Sequence, residues 1–269
     1  MNEPGRSLPR HDLEGLAAVV TGASQGLGRA IAIELAACGA SVLVVARREP
    51  QLAELVDELR ATGAAAELLV ADIAALSTPN AILERATSAF GALDVVVNNA
   101  AYEGPIQPFL DVPEAELERA IEVNLLAVWR LCRVALPGMI ERGYGRIINL
   151  MGPIPEQPAP FHAVVGASKG AVLGLTRSLA AEVAPTGVTV NALCAGAIHG
   201  TEMSERMLGG YAALAGVSVD DVHAMMIQRS PQLRLQELDE VAAVAAFLAS
   251  PAAGAVTAQS IKAAGGMLV

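Results

Sequence analysis

The chain has 269 residues, of which 53% are hydrophobic and 17% are charged, and its formal net charge is −10. This length and apolar content predict a large folded core rather than disorder. The acidity argues against nucleic acid and anionic membrane surfaces as partners, and no run of roughly eighteen apolar residues predicts a membrane span.

Short apolar runs alternate with amphipathic stretches along almost the whole chain, and we interpret the runs as strands and the stretches as helices. In chain order they are strand Ala17–Thr21, helix Leu27–Cys38, strand Ser41–Ala46, helix Gln51–Thr62, strand Glu67–Ala71, helix Ala81–Phe90, strand Asp94–Asn98, helix Glu114–Arg142, strand Arg146–Leu150, helix Ala163–Val183, strand Val188–Leu193, the polar, methionine-containing segment Thr201–Arg229, helix Glu237–Ala249 and strand Ser260–Ala263. This order predicts an α/β fold class: a single doubly wound Rossmann-type domain with a parallel sheet of about seven strands and helices on both faces.

The ends and the cysteines give further expectations. Residues 1–14 contain prolines and a glycine but no apolar signal-peptide core, so we predict a flexible tail on a cytoplasmic protein. Residues 15–269 then form the single domain. The three cysteines form no CxxC pair and the four histidines show no metal-ligand spacing. We therefore expect reduced thiols and no metal site.

The turn after the first strand reads TGASQGLG, from Thr21 to Gly28. Gly22 permits a tight turn, Gly26 lets the backbone approach a pyrophosphate, and Gly28 lets the helix pack on the strand. The helix that begins near Leu27 offers free N–H groups and its positive dipole end to a phosphate. The turn therefore predicts a dinucleotide site, and the alternative is a glycine-rich turn that binds nothing.

Together with other motifs, this turn resembles the TGxxxGxG branch of the short-chain dehydrogenase/reductase family from about Leu13 to Val269. The matching motifs are Asp72 after the third strand, Asn98–Ala101 with Ala101 for the last glycine of NNAG, the helix residue Asn124, Gly145–Asn149 leading into the fifth strand, Asn191–Gly196 with Ala195 for the proline of NxxxPG, and Gly265–Gly266. The resemblance implies the same fold, a homotetramer or dimer, a small-molecule substrate and a substrate lid at about residues 199–230.

The resemblance also implies a nicotinamide cofactor. An acidic residue after the second strand would bind both ribose hydroxyls, but this chain has Arg47 and Arg48 there, and guanidinium groups can bind a 2′-phosphate. We therefore predict NADP(H) rather than NAD(H), the alternative being a solvated arginine turn. The implied cofactor-binding residues are Gly22, Ser24, Gln25, Gly26, Leu27, Gly28, Arg47, Arg48, Asp72, Ile73, Asn99, Ala100, Lys169, Gly196 and Ile198.

The catalytic half of the family pattern is incomplete. The resemblance implies catalytic roles for Asn124 and Lys169, but Val165 stands where the family has its proton-donating tyrosine. Gly152 stands where it has the serine that holds the substrate oxygen. Loss of a general acid costs about 10²–10⁴ in rate, so an ordinary ketoreductase with this site would be slow.

His162 is the candidate replacement for the missing acid. It lies seven residues before Lys169, the spacing at which enoyl reductases of the same superfamily have their tyrosine, and imidazole transfers protons near neutral pH. The alternative is a structural histidine at the start of a helix. The substrate-pocket candidates are Tyr102, Gly152, His162, Val165 and His199, and Glu103 is interpreted as a substrate contact or loop residue.

Three functions remain open from the sequence. The first is an NADP(H)-dependent oxidoreductase with an altered active site that reduces an activated C=C, C=N or C=O of a small apolar substrate. The second is a non-redox cyclase, dehydratase or isomerase on the same scaffold, with a proline-rich loop at residues 153–160 shaping its pocket. The third is a catalytically silent binding or assembly subunit.

Overall fold

The computed structural model describes residues 11–267 and contains one parallel sheet of seven strands in the order β3-β2-β1-β4-β5-β6-β7. The strands are β1 Ala17–Thr21, β2 Ser41–Ala46, β3 Ala66–Val70, β4 Val95–Asn98, β5 Gly145–Met151, β6 Val188–Ala195 and β7 Ser260–Ala263. This confirms the predicted doubly wound α/β domain.

Helices connect the strands and cover both faces of the sheet. They are α1 Gly26–Ala37, α2 Glu49–Ala61, α3 Thr78–Phe90, α4 Glu114–Ala120, α5 Ala127–Arg142, α6 Ala163–Val183, α7 Glu202–Ala215, α8 Val219–Arg229 and α9 Leu238–Ala249. A π-helical turn, Ile121–Leu126, joins α4 to α5, so the two lie on the continuous helix predicted over Glu114–Arg142.

The apolar strands are explained by burial on both faces. In β1, Ala18 and Val20 belong to the core cluster that contains residues of α1 and α9. Val19 points to the opposite face and belongs to the cluster with residues of α3, α5 and α6. Because successive strand side chains point to opposite faces, a sheet with two cores requires apolar residues at every position.

The polar segment Thr201–Arg229, left without a helix prediction, forms α7 and α8. Each helix begins at a side-chain cap. Thr201 accepts a hydrogen bond from the Ser204 N–H at 3.0 Å, and Ser218 forms a capping box with Asp221. Such caps satisfy the free N–H groups of a first helical turn, so this polar composition is compatible with helix.

The N-terminal boundary differs from the prediction. Leu13, assigned to the tail, is fully buried and its N–H donates to the Cys38 carbonyl at 2.8 Å. The rest of the predicted tail, residues 1–10, lies outside the described residues.

One helix among those described, Glu114–Arg142, is long and apolar enough to span a membrane by composition, and its residues Leu131 and Met139 are buried against the sheet.

Candidate functional site

The direction of the connections reverses between β1 and β4, and the turns after these two strands lie side by side. The Asn99 side-chain amide donates to the Thr21 carbonyl at 2.9 Å and the Gly22 carbonyl at 3.2 Å. The Thr21 hydroxyl accepts from the N–H groups of Asn99 and Ala100, each at 3.1 Å. Ligands of doubly wound sheets bind at such a reversal point, so these turns border the candidate site.

Two of the predicted glycines are required by this close packing. An ideal Cβ on Gly22, whose φ is +68°, would lie 2.9 Å from the Ala100 Cα. A Cβ on Gly28 would collide with the Asn99 amide nitrogen and the Gly22 carbonyl. Side chains at either position would separate the two turns.

Gly26 is different, because it faces open space. Its φ is +54°, and the nearest atom to an ideal Cβ, the Thr201 Cγ2, is 3.9 Å away. The N-cap residue Gln25 makes no side-chain cap hydrogen bond, and the first turn of α1 carries no acidic residue. Free N–H groups at an accessible helix N-terminus fit a pyrophosphate, so this turn fits the dinucleotide that the sequence predicts.

The two arginines follow the carboxyl end of β2. The Arg48 Nε donates to the Ser24 hydroxyl at 3.4 Å, which places this guanidinium beside the glycine-rich turn. The Arg48 Nη1 also lies 3.5 Å from the carboxylate of Glu202, the first residue of α7. Arg47 is exposed.

The remaining predicted cofactor positions lie after β1, β3 and β6. Asp72 is exposed and its carboxylate accepts from the Ala74 N–H at 3.0 Å. Gly196 donates its N–H to the Ala263 carbonyl at 3.1 Å, and Ile198 is buried. Partly buried Leu27 and Ile73 each pack against the core on one side of the sheet.

Lys169 lies in α6 and is 5% exposed. Its Nζ donates to the Leu150 carbonyl at 2.7 Å. Burial lowers the pKa of Lys169 to about 8, while the charge of Glu103 raises it. The ammonium group of Lys169 is therefore fixed near the end of β5, and the carboxylate of Glu103 is close enough to affect its pKa.

Asn124 lies in the π-helical turn and is completely buried. Its side-chain oxygen accepts from the Tyr102 N–H at 2.7 Å, and its amide donates to the Tyr102 carbonyl at 2.7 Å. The same amide donates to the Ser168 hydroxyl at 2.9 Å. Asn124 thus joins the loop after β4 to the turn of α6 that carries Lys169; π turns of this kind are frequent at functional sites.

Gly152 and Val165 are partly buried near the same end of the sheet. An ideal Cβ on Gly152 would meet no atom within 4 Å, so a larger side chain has room there. Neither residue offers a hydrogen-bonding side chain. The two positions therefore provide space and apolar surface beside the strand end.

His162 contacts the α7 helix through Tyr211, a residue that the sequence analysis did not identify. The His162 Nδ1 lies 2.8 Å from the Pro160 carbonyl, which makes this nitrogen the donor. The Nε2 then accepts from the Tyr211 hydroxyl at 3.0 Å. Both ring nitrogens have partners, as the structural alternative for His162 requires.

Two other predicted pocket residues contact side chains of α4 and α8. The Tyr102 hydroxyl donates to Glu116 in α4, and its ring lies 4.3 Å below the Arg119 guanidinium. His199 is exposed, and its ring centre lies 6.4 Å from that of His223 in α8. Tyr102 binds Asn124 through its backbone N–H and carbonyl, whereas its hydroxyl binds Glu116.

Glu103, interpreted from the sequence as a substrate contact or loop residue, is largely enclosed in the loop after β4. Its side chain is 22% exposed, and its carboxylate lies 3.8 Å from the Arg206 guanidinium of α7. Burial raises the pKa of Glu103 to about 7, while Arg206 and Lys169 lower it. The one indication of Glu103 in the sequence is its position after the carboxyl end of β4.

The parallel sheet and the glycine-rich turn at the reversal point are typical of doubly wound α/β domains. A family model described as short chain dehydrogenase matches residues 16–210. The chain belongs to this family of oxidoreductases.

Two relatives match this chain over almost the whole length of both proteins. The chain is 38% identical over 252 residues to a protein assigned as ketoacyl reductase 1 of the granaticin polyketide synthase of Streptomyces violaceoruber, covering 93% of this chain and 92% of that protein. It is 34% identical over 256 residues to the 3-oxoacyl-[acyl-carrier-protein] reductase FabG of Escherichia coli, covering 95% and 98%.

Solved structures agree with this assignment. The actinorhodin polyketide ketoreductase with NADPH has a TM-score of 0.89 and 34% identity, covering 94% of this chain and 97% of that one. NAD+-bound xylitol dehydrogenase has a TM-score of 0.90 and 28% identity, covering 94% and 99%. The fold is therefore shared by relatives that hold either nicotinamide cofactor.

Proposed function

We propose that the protein is an NADP(H)-dependent oxidoreductase with a non-standard active site, which reduces an activated C=C, C=N or C=O bond of a small apolar substrate. The single observation that carries this proposal is the pairing of an accessible glycine-rich turn at Gly26 with a buried lysine, Lys169, at the same edge of the sheet. One fits the phosphates of a dinucleotide, and the other is placed to hold its nicotinamide end.

NADP(H) is favoured over NAD(H) by the basic residues after β2. The hydrogen bond from Arg48 to Ser24 supports a guanidinium next to the glycine-rich turn, where a 2′-phosphate would provide a bidentate acceptor. The NADPH complex of the actinorhodin ketoreductase supports the same choice.

The resemblance implies that the Gly26 turn and Lys169 bind this cofactor and that Asn124 positions Lys169. The free N–H groups near Gly26 would bind the pyrophosphate, and Lys169 would bind the nicotinamide ribose while its Nζ remains anchored to the Leu150 carbonyl. When bound there, the nicotinamide supplies hydride. Asn124 keeps the loop after β4 and the Lys169 turn at a fixed separation.

The non-standard part of the proposal concerns Gly152 and Val165. Neither side chain can donate a proton or hold a substrate oxygen. A substrate that carries its own activation, such as a conjugated carbonyl or an iminium, needs less assistance at these positions. The open space at Gly152 leaves room for substrate, and the apolar side chain of Val165 favours an apolar one.

The first test is a fluorescence titration that measures the Kd values of NADPH and NADH. The second follows NADPH oxidation by nicotinamide absorbance with each member of a panel of ketones, enones, imines and 3-oxoacyl thioesters. We expect tighter binding of NADPH and its oxidation with at least one activated substrate. Lys169→Met should abolish turnover, and Lys262→Met, at the only other lysine of the chain, should not. Tight binding without oxidation by any substrate would contradict the redox proposal and favour a non-redox enzyme or a silent subunit.

A further inference from the structure

The loop after β4 holds Glu103 between two fixed neighbours. Tyr102 on one side is bound through both its N–H and its carbonyl to Asn124, each at 2.7 Å. Gly104 on the other side has a φ of +71°, and an ideal Cβ there would lie 2.6 Å from Val164 Cγ1. The backbone at Glu103 is therefore held against the first turn of α6, the turn that also carries Val165.

The side chain of Glu103 is largely enclosed and lies within the field of Lys169. It is 22% exposed, and each of the two charged groups alters the pKa of the other. Among the described residues, Glu103 is the charged group found to act on Lys169. Its ion pair with Arg206 at 3.8 Å brings a third charge from α7.

Other possible proton donors near the site, Tyr102 and His162, already form hydrogen bonds within the protein. The Tyr102 hydroxyl donates to Glu116. His162 uses one ring nitrogen for the Pro160 carbonyl and the other for Tyr211. In contrast, no hydrogen bond to the Glu103 carboxyl is found among the described residues, and its charged neighbours lie at longer range.

We propose that the Glu103 carboxyl is the proton donor of this site and takes the part of the phenol that is missing at Val165. This inference rests on the proposed reductase function. A bound nicotinamide would supply hydride to the substrate carbon. The π electron pair of the double bond would then form the bond between its far atom and the proton of the Glu103 O–H group, and the O–H bonding pair would stay on the carboxylate. The resulting carboxylate is stabilised by Lys169 and Arg206 and then regains a proton from water.

The charge environment suits a group that both loses and regains a proton. Burial disfavours the carboxylate, and the two cations favour it, which together place the pKa of Glu103 at about 7. A general acid is most effective when its pKa lies near the working pH. An exposed glutamate with the ordinary pKa would be almost completely ionised at neutral pH and would supply few protons.

The first test needs neither cofactor nor substrate. In enzyme labelled with 13C at the glutamate carboxyls, the resonance that disappears in Glu103→Gln is assigned to Glu103, and its pH titration is followed. We expect a midpoint near 7 that rises in Lys169→Met and stays unchanged in Lys262→Met. A midpoint in the ordinary carboxyl range, or one that ignores Lys169→Met, would overturn the proposal.

The second test compares Glu103→Gln with Glu118→Gln, a change at an exposed carboxylate in the neighbouring α4. With a substrate that the wild type reduces, we expect Glu103→Gln to lower kcat by about 10²–10⁴ with an NADPH Kd within twofold of wild type. Glu103→Asp should keep part of the rate, and adding Val165→Tyr to Glu103→Gln should restore part of it. The wild-type kcat should fall with a midpoint near pH 7 as the acid ionises. Glu103→Gln should lack this step and show only the later fall caused by deprotonation of Lys169.

The two proposals fail in different ways. If the wild type oxidises NADPH and Glu103→Gln does so within threefold of its rate, Glu103 is not the proton donor and the reductase function stands. If the wild type binds NADPH but reduces nothing in the panel, the reductase function is wrong and this role of Glu103 falls with it.

Discussion

The carboxylate of Glu202 accepts a hydrogen bond from the Gln25 side-chain amide at 2.7 Å, although the two residues are 177 positions apart. Glu202 begins α7, and Gln25 precedes the first turn of α1. The same carboxylate lies 3.5 Å from Arg48. An anionic side chain therefore contacts two of the residues that are proposed to bind the phosphates of the cofactor.

Glu202→Gln should strengthen NADPH binding. The carboxylate competes with a 2′-phosphate for Arg48, and because an exposed ion pair of this kind is weak, we expect the NADPH Kd to decrease by no more than about fivefold. Titrations at low and high salt measure the effect, which should shrink as salt screens the charges.

Glu205→Gln is the matched control, since Glu205 is exposed in the first turn of the same helix. It should leave the Kd unchanged. In an Arg48→Ala background, the benefit of Glu202→Gln should disappear, because the two residues would then no longer interact. An equal benefit with and without Arg48 would show that Glu202 acts through another contact.

Arg47→Ala and Arg48→Ala should each weaken NADPH binding by roughly tenfold or more, since a hydrogen bond to a charged group is worth about 1.5–3 kcal/mol. NADH has no 2′-phosphate, so its Kd should change by less than twofold. Arg133→Ala, at an exposed arginine of α5, is the control. If NADH loses as much affinity as NADPH, the arginines contribute general charge and do not select NADP(H).

The architecture could be predicted because its determinants are local. Apolar runs mark the strands, glycines and helix caps mark the boundaries, and the turn from Gly22 to Gly28 carries its ligand chemistry within a few residues. The predicted order of strands and helices accordingly matches the structure outside Thr201–Arg229, which forms α7 and α8, and the ends of the elements differ by a few residues.

The environment of the proton-transfer candidates could not be predicted in the same way. Tyr211 reaches His162, and Arg206 reaches Glu103, only because α7 folds back over the loops of the sheet. The role proposed for Glu103 depends on its burial and on the nearby charge of Lys169, which are properties of packing between remote segments. Residue type and position after a strand indicate a candidate, but not its protonation.

Gly28→Ala should destabilise the fold, whereas Gly174→Ala should stabilise it. A Cβ at Gly28 would collide with the Asn99 amide and the Gly22 carbonyl, while a Cβ at Gly174 in α6 would meet nothing within 4 Å. Overpacking costs about 1–3 kcal/mol, and replacing an exposed helical glycine by alanine gains roughly 0.5–1 kcal/mol. Urea unfolding of both variants measures the difference, and equal changes would show that the two turns can separate without cost.

Glu103→Gln should increase stability more at pH 8 than at pH 5. The folded state holds the Glu103 proton up to a pKa of about 7, compared with an ordinary value of 4.5. Between these pH values the Glu103 carboxyl is ionised in the unfolded state but still protonated in the folded state. The free energy of unfolding therefore falls as pH rises from about 4.5 to about 7. Gln cannot ionise and avoids the loss.

The measurement is urea unfolding of wild type, Glu103→Gln and Glu118→Gln at the two pH values and constant ionic strength. Below pH 4.5, Glu103 is protonated in both states and resembles the glutamine, so the wild type and Glu103→Gln should converge. Glu118→Gln should show the same small difference from wild type at pH 5 and pH 8, since its carboxylate is exposed. A pH-independent effect of Glu103→Gln would mean that Glu103 ionises in its ordinary range, and the enclosed position of its side chain would then have no effect on its protonation.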